Sequence, residues 1–106
     1  MRKISVIIKR PGKKPCRTYI SDTLENLQNT VGGYIEKVTL TLDSCIIGNE
    51  EGLLIGLPYN CDICGVHFFG TIIFIGVDGD KFTDYPASWS TFRRMHSNLF
   101  EEEHNK

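Results

Sequence analysis

Two cysteines and a histidine in the segment NCDICGVH have the residue types and spacing of metal ligands. Cys61 and Cys64 are separated by two residues, and His67 follows three residues later. Together they would supply three of the four ligands of a tetrahedral zinc site. No second paired motif supplies the fourth ligand. The candidates for it are Cys16, Cys45, His96, His104 or a carboxylate.

The same three residues have a simpler interpretation. Reduced cysteines often pack as small apolar side chains. A redox dithiol would need its cysteines at the start of a helix in a βαβ unit, and the β-rich residues after Gly65 do not favour that setting. We therefore predict no metal site and no cofactor. The alternative is a small module stabilised by zinc through Cys61, Cys64 and His67.

The segment Asn49-Glu50-Glu51-Gly52 is a second candidate for chemistry, because paired carboxylates can transfer protons or hold a divalent cation. Neighbouring residues of a strand point to opposite faces, so Glu50 and Glu51 would not act together. We interpret the segment as a turn in which Asn49 bonds to the local backbone and Gly52 has a positive φ. Loops on a rigid sheet often bind ligands. The loop surface predicted to do so consists of Asn49, Glu50, Glu51, Leu57, Pro58 and Asn60.

Positive charge is concentrated at the start of the chain. Seven of the 12 lysine and arginine residues precede residue 18, although the formal net charge is -1. A basic hairpin can bind phosphate groups or an acidic partner, or its lysines can keep a strand edge from pairing. The residues of this candidate surface are Lys9, Arg10, Lys13, Lys14 and Arg17. A second candidate surface consists of Arg93 and Arg94.

The sequence contains no arrangement of residues typical of a catalyst. It has no GxSxG nucleophile elbow and no glycine-rich phosphate loop. Gly32 and Gly33 end a predicted helix, where the helix dipole does not favour an anion. His96 lies on an apolar helical stripe, which is typical of a core histidine with its hydrogen bonds satisfied. We therefore predict that the protein is not an enzyme.

Hydrophobic periodicity predicts an α+β fold with a mainly antiparallel sheet of about five strands and two helices, in the order ββαβββα. The predicted strands are 4–9, 16–20, 34–42, 45–49 and 69–77, and the last, as the most apolar, should lie centrally. Residues 53–60, broken by Gly56 and Pro58, are predicted as a loop. The predicted helices are 21–33, capped by Ser21 or Asp22, and 88–104.

Length and hydropathy predict one domain, residues 1–106, in the cytoplasm. No apolar run approaches the roughly 18 residues that a membrane span needs. The apolar stretch after Lys3 is only about six residues long, too short for a signal peptide.

Several short motifs occur here in a particular order. They are Pro11-Gly12-Lys13, Val31 to Glu36, Asn49 to Gly52, Gly56 to Pro58 and Gly70 to Gly76. On this set, which covers nearly the whole chain, the sequence resembles a small domain family of unknown function. That family is carried by phages, plasmids and conjugative elements, largely of Firmicutes and their relatives. The resemblance implies no typical cysteine pair after Gly-Leu-Pro, which argues against a family-wide metal site.

The resemblance transfers no catalytic residue and implies a context instead. Members resemble accessory cargo of mobile elements, and such cargo often counters host defence. We therefore expect a small binding protein that acts by occupancy in the host cytoplasm, on a host defence protein or a small anionic nucleotide signal. Nucleic-acid binding through the basic hairpin is an alternative, which the net charge of -1 and the acidic end of the chain argue against. An exposed edge strand would also favour a homodimer.

Overall fold

The computed structural model describes residues 2–101, and within them the chain forms eight strands and two helices. The elements are β1 (Lys3–Lys9), β2 (Cys16–Ser21), α1 (Leu24–Val31), β3 (Ile35–Thr41), β4 (Ser44–Asn49), β5 (Tyr59–Ile63), β6 (Val66–Phe69), β7 (Ile72–Asp78), β8 (Lys81–Thr83), α2 (Trp89–Met95) and a 3-10 turn over Ser97–Phe100. Neither helix in this part of the chain has the length and apolar character needed to cross a membrane.

Six strands form one antiparallel sheet in the order β2-β1-β7-β4-β3, with β8 paired to the end of β7. β5 and β6 form a separate antiparallel hairpin. β7 lies in the middle of the large sheet and is buried from Ile72 to Gly76. The central position predicted for the most apolar segment is therefore confirmed.

Both faces of the large sheet are covered, because alternate residues of its central strands belong to two separate cores. Ile73 and Ile75 of β7 pack in the first core with Leu27 of α1. Phe74 packs in the second core with Phe92 of α2. The β5–β6 hairpin adds Cys61, Ile63 and Phe68 to the second core.

The predicted α+β class with antiparallel strands and two helices is confirmed, but the predicted count of about five strands was wrong. The observed order is ββαββββββα rather than ββαβββα, because β5, β6 and β8 were missed. β5 begins directly after Pro58 and is irregular between Tyr59 and Cys61, which disrupts the two-residue hydrophobic period of a strand. Phe69 ends β6 instead of beginning the central strand, because Gly70 with a φ of 88° separates the two.

The helix α1 is shorter than predicted. Ser21 is the last residue of β2, where it pairs with Lys3, so neither Ser21 nor Asp22 caps the helix. Thr23 caps it instead, because its Oγ1 accepts a hydrogen bond from the Asn26 amide at 3.2 Å. Gly32 ends the helix with a φ of 85°, as predicted.

The second predicted helix, 88–104, is broken in the structure. α2 is capped by Ser88, whose Oγ accepts from the Thr91 amide at 3.2 Å, and it ends at Met95. A 3-10 turn continues the chain to Phe100, and the predicted residues after Glu101 lie outside the described residues. Phe92 of α2 and Leu99 of the 3-10 turn are buried in the second core, which fixes both helical segments to the sheet.

His96 joins these two segments and lies against the second core. Its ring centroid is 4.8 Å from that of Phe92 and 5.4 Å from that of Phe74. Its Nε2 is buried without a hydrogen-bond partner among the described residues. The prediction that His96 packs against the core is confirmed, but the prediction that its hydrogen bonds are satisfied was wrong. Burial in this apolar surrounding lowers the pKa of His96 below its ordinary value of 6.5.

We expect His96 to make the fold less stable in mild acid. The unfolded chain takes up a proton on His96 near pH 6.5, whereas the folded chain resists it until a lower pH. The free energy of unfolding should therefore fall as the pH drops below about 6.5, and the loss should level off below the folded pKa. Urea unfolding at pH 7.5 and 5.5 would measure this. His96→Phe should lose less stability than the wild type over that interval, and an equal loss would contradict the assignment.

Candidate functional site

Three lysines of the β1–β2 hairpin lie around one groove. Lys9 ends β1, and Lys13 and Lys14 follow in the turn, which is closed by a 3.0 Å hydrogen bond from the Lys13 amide to the Arg10 carbonyl oxygen. Gly12 allows that turn with a φ of 74°. The groove has a volume of about 520 Å³, and we call it the basic groove. It is lined by Lys9, Gly12, Lys13, Lys14, Asn60, Leu99 and Glu101.

Lys9 differs from the other two lysines in its burial. Lys9 is only 6% exposed, whereas Lys13 and Lys14 are exposed. The Lys9 Nζ donates a hydrogen bond to the Arg10 carbonyl oxygen at 3.2 Å. A buried cation needs such compensation for the loss of water. The basic groove is therefore lined by one buried lysine and two exposed lysines.

Asn60 joins the walls of the basic groove. Its Nδ2 donates to the carbonyl oxygen of Lys9 at 2.8 Å and to that of Gly70 at 2.7 Å. These bonds tie β5 to the end of β1 and to the residues before β7. Its Oδ1 is buried and has no hydrogen-bond partner in the part of the chain that the structure describes. Asn60 thus holds the backbone of Lys9 in place, and its amide orientation is fixed because both Nδ2 hydrogens are used.

Leu99 and Glu101 complete the basic groove from the opposite end of the chain. Neither residue was predicted as a site residue from the sequence. The acidic end of the chain was interpreted only as an argument against nucleic-acid binding. Glu101 places a carboxylate in the same groove as three lysines. A ligand that fits both would carry anionic groups together with an N–H or O–H donor.

Arg10 and Arg17 belong to the predicted basic surface but do not line the basic groove. Arg17 donates from Nε to the Ser5 Oγ at 2.9 Å and from Nη1 to the Ala87 carbonyl oxygen at 3.4 Å. It therefore connects β2 with β1 and with the segment before α2. Arg10 is exposed. The structure thus divides the predicted surface into a lysine-lined groove and separate arginines.

In the second candidate basic surface, Arg93 contacts an aromatic ring. The Arg93 guanidinium carbon lies 4.5 Å from the centroid of the Phe100 ring, which is a cation–π contact within the helical region. Arg94 is exposed. Arg93 therefore stabilises the junction of α2 with the 3-10 turn.

Leu57 and Pro58, predicted as part of the loop surface, support the backbone near Gly70. The Gly70 amide donates to the Pro58 carbonyl oxygen at 2.7 Å. A Cβ on Gly70 would lie 2.6 Å from the Leu57 Cδ1, so only glycine fits there without displacement. Leu57 and Pro58 also line a shallow cavity of about 350 Å³ together with Pro11.

The turn that begins at Asn49 is built as predicted in one respect and not in another. The Asn49 Oδ1 accepts from the Glu51 amide at 2.8 Å, which confirms the local backbone bond. Its Nδ2 donates to the Val31 carbonyl oxygen at 3.2 Å, so the turn is attached to the end of α1. Gly52 does not have a positive φ. Glycine is required because a Cβ would lie 2.6 Å from the Phe69 carbonyl oxygen.

Glu50 and Glu51 line different cavities, in agreement with the prediction that they do not act as a pair. Glu51 lines a cavity of about 560 Å³ at the end of α1, which we call the amide cleft. Glu50 lines a second cavity of about 320 Å³ beside His67 of β6. The lining of the amide cleft is Gln28, Asn29, Gly32, Gly33, Tyr34, Asn49, Glu51 and Ile55. Sequence reasoning missed Tyr34 as a site residue, although it directly follows the Gly-Gly end of the helix.

The segment NCDICGVH forms the β5–β6 hairpin. Cys64 and Gly65 are its two turn residues, with φ angles of 52° and 80°, as a type I′ turn requires. Cys61 points into the second core, whereas Cys64 is exposed in the turn. Burial raises the pKa of the Cys61 thiol, so it remains protonated and is a poor ligand or nucleophile.

His67 is held by a carboxylate on the same hairpin. The His67 Nδ1 and Asp62 Oδ1 are 2.7 Å apart, and the Tyr59 hydroxyl donates to the same oxygen at 2.7 Å. The bond from His67, and then that from Tyr59, lowers the pKa of Asp62. No group of three or more His, Cys, Asp or Glu side chains within residues 2–101 is placed to hold a metal ion. The zinc alternative through Cys61, Cys64 and His67 therefore lacks its ligand geometry, and His104 lies outside the described residues.

A protein-family model described as "Domain of unknown function (DUF3846)" matches residues 1–97. No curated protein and no solved structure matches the chain.

Proposed function

The chain belongs to the DUF3846 family of unknown function, and we propose that it is a small binding protein that captures an anionic nucleotide in the basic groove without chemical change. The observation that carries the proposal is the convergence of Lys9, Lys13 and Lys14 on one cavity. Lysine ammonium groups are common ligands of phosphate.

The dimensions of the basic groove favour a small ligand over a nucleic-acid strand. Its volume of about 520 Å³ lies within the range of small-molecule sites. Binding of a strand would instead use a basic stripe with aromatic platforms. Lys9, Lys13 and Lys14 line the basic groove, whereas Arg17 does not. We therefore place the phosphate groups of the ligand on the lysines.

The mixed lining of the basic groove supports a nucleotide over a simple anion. The Glu101 carboxylate can accept hydrogen bonds from an amino group of a base or from a ribose hydroxyl, while the lysines meet the phosphate groups. Inorganic phosphate would meet only the lysines and would be repelled by Glu101. A nucleotide uses both parts of the groove.

The biological role that we propose is counter-defence in the cytoplasm of a host cell. The support is the resemblance to accessory proteins of phages and plasmids. A protein that holds a nucleotide signal lowers its free concentration, so the host response that depends on that signal is weakened. This mode of action requires occupancy and no catalysis.

Native mass spectrometry would test the ligand class directly. The protein would be mixed with ATP, GTP, a cyclic dinucleotide, inorganic phosphate and a single-stranded oligonucleotide at equal concentrations. We expect the mass of one nucleotide on the chain, and no phosphate adduct that survives the same conditions. Binding of the oligonucleotide alone would support the nucleic-acid alternative and contradict a small-ligand site. The absence of any adduct would also contradict the proposal.

A further inference from the structure

The amide cleft differs from the basic groove in its electrostatic character. Glu51 is the one charged residue among the described side chains that line it. The cleft also includes the end of α1, whose last turn contains no basic residue. The C-terminal end of a helix carries partial negative charge. Both features favour a cation in this cleft.

The other side chains of the amide cleft suit a planar cation. Tyr34 is 70% exposed and offers a ring face for a cation–π contact. Gln28 and Asn29 offer amide oxygens as acceptors. A guanidinium group has five N–H donors in one plane and can pair with a carboxylate while it stacks on an aromatic ring. A compact ammonium group makes less use of such a lining.

The shape of the amide cleft is fixed before any ligand binds. The Asn49 side chain bonds to the Val31 carbonyl oxygen on one side and to the Glu51 amide on the other. A Cβ on Gly33 would lie 2.9 Å from the Asn49 Nδ2, so the glycine lets the two segments approach. A preformed site loses little free energy to rearrangement on binding.

Exposed apolar side chains adjoin the amide cleft. The Ile55 amide donates to the Glu51 carbonyl oxygen at 2.9 Å, so residues 51–55 form one tight turn. On this turn Leu54 is 83% exposed and Ile55 is 56% exposed. Grouped apolar side chains beside a polar cleft are typical of a protein interface. A free small cation would leave these side chains uncovered.

We propose that the amide cleft binds an arginine side chain of a protein partner, with apolar residues of that partner on Leu54 and Ile55. Charge complementarity with Glu51 and the end of α1 favours a cation. Stacking on Tyr34 favours a planar guanidinium group over a compact ammonium group. The site is separate from the basic groove and does not depend on nucleotide binding there.

A titration of ¹⁵N-labelled protein with N-acetyl-arginine amide would test the proposal by NMR. We expect shift changes at the amides of Gly32, Gly33, Tyr34 and Glu51. N-acetyl-citrulline amide has nearly the same shape without the charge, and it should bind about two- to fivefold more weakly. Equal binding of the two compounds would overturn the proposal. Spermidine that binds as well as the arginine compound would also overturn it, in favour of a polyamine site.

Two neighbouring residues provide a matched pair of variants. Glu51→Gln should weaken binding of the arginine compound about two- to fivefold, whereas Glu50→Gln should leave it unchanged because Glu50 lines a different cavity. Both side chains are exposed, so both variants should fold. Equal effects of the two substitutions would contradict the site. Nucleotide binding should be unchanged in both variants, so failure of this proposal is distinguishable from failure of the basic groove.

Discussion

Asn60→Ala is expected to lower the free energy of unfolding by about 2–6 kcal/mol, a large part of the stability of a domain of this size. The substitution leaves the carbonyl oxygens of Lys9 and Gly70 without the Asn60 donor that now pairs with them at 2.8 and 2.7 Å. Each buried carbonyl left without a partner costs about 1–3 kcal/mol. The loss is large because one side chain provides both bonds.

Urea unfolding of the wild type and two asparagine variants would measure this effect. Asn98→Ala is the matched control, because Asn98 is exposed and lies near the same region of the chain. Its effect should stay within about 0.5 kcal/mol. Similar losses for the two variants would show that Asn60 does not hold the groove together.

The elements that sequence predicts well are those with a simple local cause. β1 and β7 are runs of β-branched residues, and both are buried on two faces of the sheet. The end of α1 at Gly32 follows from the freedom of glycine to adopt a positive φ. Such features depend on neighbours in the sequence, so a single chain is enough to predict them.

The β5–β6 hairpin shows where local reasoning fails. Its turn uses Cys64 with a φ of 52°, although asparagine, aspartate or glycine usually occupies that position. The cysteine pair also has the spacing of metal ligands, so the sequence alone suggests a zinc site where the chain forms a turn. The irregular pairing between Tyr59 and Cys61 further hides the strand pattern. Here the backbone conformation is imposed by packing of Ile63 and Phe68 on the sheet.

The candidate site could be predicted only in part. The basic hairpin was evident from charge, but its basic residues do not form one surface. Lys9 is buried, and Arg17 bonds to Ser5 and Ala87. Asn60 was named as a loop residue, yet its bond to Lys9 spans 51 positions of sequence. Leu99 and Glu101 reach the groove from the far end of the chain. Contacts of this kind depend on the tertiary fold.

Reversing the charge of the two exposed groove lysines is expected to abolish most nucleotide binding. Lys13→Glu/Lys14→Glu replaces two ammonium groups, which would donate hydrogen bonds to phosphate, with two carboxylates in the basic groove. Loss of two charge-assisted hydrogen bonds of about 1.5 kcal/mol each corresponds to a roughly 100-fold weaker affinity. Both residues lie in an exposed turn, so the fold should persist. Lys37→Glu/Lys81→Glu makes the same change in net charge at exposed positions on β3 and β8.

Calorimetric titration of the wild type and these two double variants with the nucleotide retained in native mass spectrometry tests the anion-binding assignment most directly. The basic groove predicts an affinity about 100-fold weaker for Lys13→Glu/Lys14→Glu and nearly unchanged for Lys37→Glu/Lys81→Glu. Equal affinities in the two double variants would show that net charge alone, or another surface, binds the nucleotide, and would contradict the account.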